Sequence, residues 1–260
     1  MEQDFYILKG GYDENDGKWY FGRTRIIFVN EFTNHDEYNF KYDTIIDFDA
    51  IKTSFEKLQF KVEKAIFNPT AARMIACFKE EIDYFGCAII FIFSRGEHDY
   101  IYCSDYDAET GSGKINICDD FYDNFSAEEK PKLKNCPKVF FNECGQDRRN
   151  VTTEYVKNNI SRAFLNTTHW LIYNADLPRF ETCSPDFAGS CYTQVFCKLL
   201  NENGKEKDLQ SIMSLVKGEV SKNRDVDKKD LQSISFSSMN RKLYFMPEDE
   251  IYQLKVNGRR

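Results

Sequence analysis

Several features that would assign a protein to a specialised class are missing from these 260 residues. No apolar run approaches the ~20 residues that a membrane-spanning helix needs, because the longest covers only residues 87–93. The start carries Glu2, Asp4 and Lys9 and lacks the basic and apolar stretches of a secretory signal, so we expect a cytoplasmic protein. A net charge of −7, with no basic patch before residue 255, argues against nucleic acid as a partner.

Cysteine pairs with the spacing of a metal site are also missing. The nine cysteines are odd in number, form no C-x-x-C motif and mostly have apolar neighbours. This pattern is typical of buried, reduced thiols, and it argues against a disulfide framework or a zinc site. We therefore expect neither a metal nor any other cofactor.

Glycine and proline are scarce, with 13 and 6 residues, whereas aromatic residues are abundant, with 23 Phe and 15 Tyr. This composition predicts a folded domain with a bulky core and excludes a largely disordered chain. Residues 1–18 are polar and contain glycine, so we interpret them as a flexible leader before a domain over 19–260.

Short apolar runs alternate with segments of helical periodicity. The run over 87–93 lies between Gly86 and Ser94 and predicts a central strand that is buried on both faces. Further strands are predicted at 25–30, 60–67, 138–142, 170–175, 233–237 and 242–246, and helices at 47–58, 71–82, 189–200 and 209–220. Thr70 is the predicted N-cap of the second helix. The alternation predicts an α/β fold with a mostly parallel sheet covered by helices on both faces.

Ligand sites in such sheets lie beyond the carboxyl ends of the strands. Two of these ends, residues 94–97 and 137–144, resemble the histidine motif and the cysteine strand of the caspase family. The spacing from position 95 to Cys144 is 49 residues, which matches the family. Further matches follow in family order at Lys41, Thr44 and Asp47, then at 100–102, 170–175, 189–192 and 243–245.

The resemblance implies a caspase-like, mixed, mostly parallel six-stranded sheet with helices on both faces. It also implies a division of the chain into a part like the large subunit (19–146), a linker (147–169) and a part like the small subunit (170–260). Active caspases are cut after aspartates in the linker. Here the linker has only Asp147, outside any acidic tetrapeptide, so we expect it to stay intact.

Position 95 departs from the family pattern. Caspases have a histidine there that takes the thiol proton and later protonates the leaving amine, whereas this chain has Arg95. A guanidinium has a pKa above about 12 and no lone pair for a proton, so it performs neither step. Loss of such a residue lowers the rate by about 10⁴ to 10⁶. The resemblance therefore implies that Arg95, Gly96 and Cys144 are remnants of a catalytic site.

The substrate pocket implied by the resemblance is altered too. Caspases hold an aspartate side chain with two arginines and a glutamine, and the corresponding positions here are Lys41, Ser184 and Asn142. Cys183 replaces an aromatic residue of the neighbouring pocket. One lysine does not reproduce a bidentate clamp on a carboxylate. The strand before Cys144 is one residue shorter than in the family, which leaves the assignment of Asn142 open.

We interpret the chain as a pseudoenzyme, a decoy caspase that regulates an active caspase in apoptosis or a related pathway, with activation favoured over inhibition. Its partner would be an active paralogue, or a second copy in a homodimer. The strand that pairs across the dimer axis in the family corresponds here to Ser233, Ile234, Ser235, Phe236 and Ser237. Two alternatives stay open: a divergent cysteine protease that uses His98 as a displaced base, with specificity other than aspartate, and an adaptor that sequesters caspase inhibitors or substrates.

Overall fold

The computed structural model describes residues 5–6, 8–34, 44–97, 100–146, 169–174, 189–222 and 234–246. The strands are β1 (Gly11–Asp13), β2 (Lys18–Tyr20), β3 (Gly22–Phe28), β4 (Phe60–Val62), β5 (Ile66–Phe67), β6 (Ala88–Glu97), β7 (Tyr100–Asp107), β8 (Ser112–Asn116), β9 (Lys138–Gln146), β10 (Trp170–Asn174) and β11 (Ile234–Ser237). The α-helices are α1 (Thr44–Lys57), α2 (Ala71–Lys79), α3 (Cys191–Asn203) and α4 (Leu209–Lys222). A π-helical turn covers Ile117–Tyr122, and short 3₁₀ turns cover Asp123–Phe125 and Pro131–Leu133.

The central sheet has the order β11-β10-β9-β6-β3-β4. The pairs from β10 to β4 are parallel, and only β11 in this row runs antiparallel to its neighbour. The short strand β5 also pairs with β3, and the antiparallel strands β7 and β8 continue from the end of β6. The predicted mixed, mostly parallel sheet of six strands is therefore confirmed, with additional strands at its margin.

Helices cover both faces of the sheet. Helices α1, α3 and α4 pack on one face, in a core cluster that includes Phe55, Phe91, Phe141 and Phe196. Phe91 and Phe141 stack with ring centroids 4.4 Å apart, across the two central strands. Helix α2 and the π-helical turn pack on the opposite face, in a second core cluster. The abundant phenylalanine thus fills both layers of the core.

Helix α2 begins where the sequence predicts. The hydroxyl of Thr70 accepts a hydrogen bond from the backbone N–H of Arg73 at 3.3 Å, which is the geometry of an N-cap. The helix ends at Lys79, three residues before the predicted end, and Glu80 closes it with a backbone bond to Ala76. The apolar residue Ile82 belongs to the following loop.

The prediction of a flexible leader over residues 1–18 is corrected for the residues of this segment that the structure describes. Phe5, Tyr6 and Leu8 are buried, and β1 pairs with β2. The Tyr6 hydroxyl lies 2.8 Å from Nδ1 of His169. Phe5 bridges Lys242 in the predicted strand 242–246, where the structure has this one bridge and no continuous strand. The sequence does not predict this packing, because the few large apolar residues of this segment are separated by polar residues and form no clear periodicity.

The expectation of reduced thiols needs one correction. Seven cysteines are free, whereas Cys191 at the start of α3 is disulfide-bonded to a cysteine outside the described residues. Sequence spacing alone does not reveal a disulfide, because the bond requires a specific distance and orientation of two Cβ atoms in the fold. Among the described helices, none has the length and apolar character required to cross a membrane.

Candidate functional site

The carboxyl ends of β6 and β9 bring the two motif segments together. These strands are parallel neighbours, and their register pairs Ser94 with Cys144, Arg95 with Gly145 and Gly96 with Gln146. Position 95 and Cys144 are thus one register step apart, although 49 residues separate them along the chain. The candidate site lies where the sheet topology predicts a ligand site.

The side chains of Arg95 and Cys144 point to opposite faces of the sheet. Consecutive residues of a strand alternate between the faces, and residues paired in register on parallel strands share a face. Cys144 belongs to the core cluster on the α2 face, together with Ile92 and Phe140. Arg95 follows Phe93 at a spacing of two, and Phe93 belongs to the cluster on the α3 face. The thiol therefore does not face Arg95.

Burial makes the Cys144 thiol a poor nucleophile. The residue is only 5% exposed, and burial together with the charge of Glu143 raises the pKa of the thiol to about 12. A backbone hydrogen bond from Ser94 offsets part of this rise. Because the thiolate is the reactive form of cysteine, a thiol with this pKa is almost entirely unreactive near neutral pH.

The number of residues in β9 sets the orientation of Cys144. A shift of one residue along a strand moves every following side chain to the other face. One more residue between Pro137 and the cysteine would place the thiol at the register position of Gly145, beside Arg95. The length of β9 therefore separates the thiol from Arg95 independently of the residue type at position 95.

Asn142 and Gly96 also have structural roles in this arrangement. Asn142 shares the face of Cys144, is buried, and donates its amide to the Tyr122 hydroxyl at 2.8 Å. A Cβ on Gly96 would lie 2.2 Å from the backbone oxygen of Tyr100, so only glycine permits the close turn from β6 to β7. The other predicted pocket residues, Lys41, Cys183 and Ser184, lie outside the described residues, as does His98.

A buried pair of carboxyl groups, not predicted from the sequence, lies on the face opposite Cys144. Glu143 is 3% exposed, and it accepts hydrogen bonds from the hydroxyls of Ser190 and Thr193 at the start of α3. Asp47 of α1 accepts from the backbone N–H of Ser190 at 2.9 Å and from the side chain of Gln194. The sequence places Asp47 in the first turn of a helix, where a carboxylate is favourable, and in a motif that resembles the family, but neither observation identifies its partner. Its contact with α3, 143 residues away, depends on the tertiary fold.

Glu143 is protonated in the folded protein near neutral pH. Burial and the nearby charge of Asp47 raise the pKa of its carboxyl to about 8, against the hydrogen bonds that lower it. The protonated carboxyl joins the site strand β9 to the start of α3 without placing a second full negative charge beside Asp47. Among the described residues, no group of three or more His, Cys, Asp and Glu side chains has metal-binding geometry.

The predicted dimer strand forms one margin of the sheet. Residues Ile234–Ser237 constitute β11, which is antiparallel to β10 and is the terminal strand of the described row, while Ser233 lies outside the described residues. Ser235 and Ser237 are exposed, and Phe236 packs partly into the core between them. An edge strand of this kind offers backbone groups to a further strand.

Comparisons with known proteins agree with this architecture. The sequence model of the family described as Caspase domain matches residues 25–244. Caspase-1 of Drosophila melanogaster is 26% identical over 205 residues, which cover 74% of this chain and 60% of the relative. Caspase drICE of the same organism is 27% identical over 139 residues, or 50% of this chain and 39% of the relative. The chain thus spans less than two thirds of the length of either curated relative.

Solved structures show the same fold at lower identity. The crystal structure of Caspase-1 from Spodoptera frugiperda superposes with a TM-score of 0.71 at 20% identity, covering 95% of this chain and 97% of that one. The structure of pro-sf-caspase-1 also gives a TM-score of 0.71 at 20% identity, with coverages of 94% and 98%. At this identity the likeness establishes the fold.

The orientation of Cys144 predicts its reactivity. In the native protein at pH 8, we expect iodoacetamide to label Cys144 at least tenfold more slowly than the half-buried Cys136, because a buried thiol is protonated and inaccessible. The double variant Cys144→Ala, Gly145→Cys moves the thiol to the register position beside Arg95, and we expect faster labelling there. Mass spectrometry of the digested protein reads each site separately. Equal labelling of native Cys144 and Cys136 would contradict the assigned orientation.

The raised pKa of Glu143 predicts a pH-dependent stability. The folded state keeps a proton on Glu143 up to a pKa of about 8, whereas the unfolded chain loses it near 4.5. The folded state therefore binds more protons between these values, and the free energy of unfolding falls as pH rises through this window. We expect Glu143→Gln to remove this fall and to be more stable than the native chain at pH 8.5, with a smaller difference at pH 5.

Urea denaturation at the two pH values measures this effect. The matched control is Glu109→Gln, which changes an exposed carboxyl and should leave the pH dependence unchanged. An unaltered pH dependence in the Glu143 variant would show that this carboxyl is ionised in the fold.

Proposed function

The chain belongs to the caspase family, and we propose that it is a non-catalytic member that regulates an active caspase by forming a mixed dimer. The observation that carries this proposal is the separation of the Cys144 thiol from position 95 by the sheet itself. A cysteine protease needs its thiol and its base within hydrogen-bond reach. Here the thiol is buried on one face, and the base position, on the other face, holds an arginine.

The two departures reinforce each other. Replacement of Arg95 by histidine would supply a base, but the shortened β9 would still direct the thiol to the other face. Lengthening β9 by one residue would turn the thiol toward position 95. The guanidinium there would still have no lone pair with which to accept the thiol proton. Two independent changes must be reversed together before acid–base chemistry is possible. Loss of one such member already lowers rates by about 10⁴ to 10⁶.

The edge strand β11 supplies the route to regulation. An active caspase protomer needs its loops ordered by its neighbour, and a protomer without catalytic groups supplies the same ordering if its own interface is intact. The described part of the chain retains a regular β11 at the end of the row, paired to β10 over four residues. We therefore favour activation of the partner over its inhibition, in the cytoplasm and in apoptosis or a related caspase pathway.

The linker completes this proposal. Its single aspartate, Asp147, immediately follows the site strand and lies outside an acidic tetrapeptide. We propose that the parts over 19–146 and 170–260 remain joined in the functional protein. A regulator that does not need cleavage would be ready to pair with its partner as soon as it is made.

Two other functions make different demands. A divergent protease with His98 as its base requires a reactive Cys144, which the pKa of about 12 opposes. An adaptor that sequesters caspase inhibitors or substrates requires no mixed dimer, so sedimentation of the protein with an active caspase separates it from the proposed regulator.

The activity test has two arms. The purified protein alone is expected to leave an Asp-containing fluorogenic peptide uncleaved, because no group takes the thiol proton. Titrated into an active caspase from the same source at fixed enzyme concentration, it is expected to raise the rate in a dose-dependent and saturable way. A Cys144→Ala variant is the control and should act like the native chain in both arms.

The outcomes are distinct. Cleavage by the native protein that Cys144→Ala abolishes would overturn the non-catalytic assignment, and a His98→Ala variant would then test the displaced base. A dose-dependent fall in the partner's rate would support a regulatory function but show inhibition where we expect activation. An unchanged rate, with no mixed species in sedimentation, would exclude the mixed dimer and favour the adaptor function.

A further inference from the structure

A groove lies between helix α4 and the margin of the sheet, beside β11. Its volume is about 220 Å³, and its floor is formed by Leu171, Tyr173 and Met213, which belong to the core. Its rim combines residues of α4 with the exposed hydroxyls of Ser235 and Ser237 on β11. Small side chains at both β11 positions leave the space open, and the groove is continuous with the edge at which a further strand would add.

Two hydrogen bonds connect the helix to the edge strand across this groove. The ammonium of Lys217 lies 3.2 Å from the hydroxyl of Ser235, and the amide of Gln210 lies 3.3 Å from the hydroxyl of Ser237. Both contacts are at the exposed rim. They hold a cation and an amide donor directly above the strand edge.

Among the described residues, the lining of the groove is rich in hydrogen-bond donors and contains no carboxylate. Its polar residues are Tyr173, Gln210, Ser214, Lys217, Ser235 and Ser237. Within the described part of the chain, Lys217 has no ion pair, although Lys222 on the same helix pairs with Glu219. A cation surrounded by hydroxyl and amide groups favours a carboxylate as its neighbour. The positive charge of Lys217 therefore favours a partner that places an acidic side chain in the groove.

Strand geometry defines where that carboxylate must come from. On an antiparallel neighbour, the residue opposite Ser235 on the same face has its Cβ about 4.5–5.5 Å away. Ser235 and Ser237 share the face of Tyr173 and Leu171, because the register pairs them, and this is the face of α4. An acidic side chain at the facing position of an added strand would reach the ammonium of Lys217.

We propose that this groove selects the dimer partner: it accepts the edge strand of a different caspase protomer that carries an Asp or Glu side chain opposite Ser235, beside Lys217. This inference rests on the proposed function and deepens it, by naming the chemistry that distinguishes one partner from another. It concerns the α4 face alone, and the vestigial site at Arg95 has no part in it.

The same groove disfavours a second copy of this chain. The predicted dimer strand, Ser-Ile-Ser-Phe-Ser over 233–237, contains no acidic residue. Self-pairing would therefore place serine opposite serine and bring two copies of Lys217 to the same interface, where none of the described residues of the groove carries a negative charge. Like charges at an interface oppose association, whereas a complementary acid favours it. The groove thus supports the heterodimer over the homodimer.

A charge reversal tests the inference. Lys217→Glu is expected to weaken the mixed dimer with an active caspase from the same source by about tenfold or more, and the neutral Lys217→Met by less. The matched control is Lys222→Glu, the same change on the same helix outside the groove, which should alter the dissociation constant by less than about twofold. Sedimentation velocity measures the dissociation constants at low and high salt, and thermal unfolding confirms that each variant is folded.

The partner strand supplies the second half of the test. Exchange of its acidic residue opposite Ser235 for lysine should weaken binding to the native chain and restore binding to Lys217→Glu, giving a favourable coupling in the double-mutant cycle. Equal effects of Lys217→Glu and Lys222→Glu, or a cycle without coupling, would contradict the selection of the partner by the groove. The proposal of a mixed dimer would be unaffected. Absence of a mixed dimer with the native chain would overturn both proposals. A native homodimer that is tighter than the mixed dimer would overturn the selectivity.

Discussion

The architecture of the candidate site depends on the burial of strand β9 on both faces. Phe140 and Cys144 pack into one core layer while Val139 and Phe141 pack into the other, so neither face tolerates a shift in register. A shift of one residue would move every side chain of the strand to the opposite layer, and close packing in both layers opposes such a change. The number of residues in β9 therefore determines which layer receives the thiol. The chemistry of the site follows from this count as much as from the identity of residue 95.

The buried carboxyl groups show how the fold accommodates this strand. Glu143 follows Phe141 at a spacing of two and meets the hydroxyls at the start of α3, while Asp47 of α1 holds the adjacent backbone. Protonation of Glu143 limits the electrostatic cost of two carboxyl groups in one apolar layer. Next to Cys144, this chain thus has a polar contact that joins the strand to the two helices. A structural role for this contact is compatible with the proposed non-catalytic function.

The margin of the sheet is organised differently from its centre. Phe91 of β6 and Phe141 of β9 stack in the core, whereas β11 presents two serines to the outside beside Lys217 of α4. A surface for a partner needs polar groups that solvate the free protomer, and these groups also discriminate among partners. The proposed regulatory function would depend on this discrimination, because its effect would be limited to the caspases with which the chain pairs.

The sequence by itself determined the fold class, the central strands, the N-cap at Thr70 and the substitution of Arg95, because these depend on local pattern and on residue chemistry. It also indicated that β9 is one residue short, but not the consequence. Tertiary structure alone decided the side on which Cys144 lies, the meeting of Asp47 with Ser190, the burial of Phe5 and Tyr6, and the groove above β11. Each of these depends on how distant segments are registered and packed against one another. Strand register and packing arise from contacts across the whole core, and no local stretch of sequence contains that information.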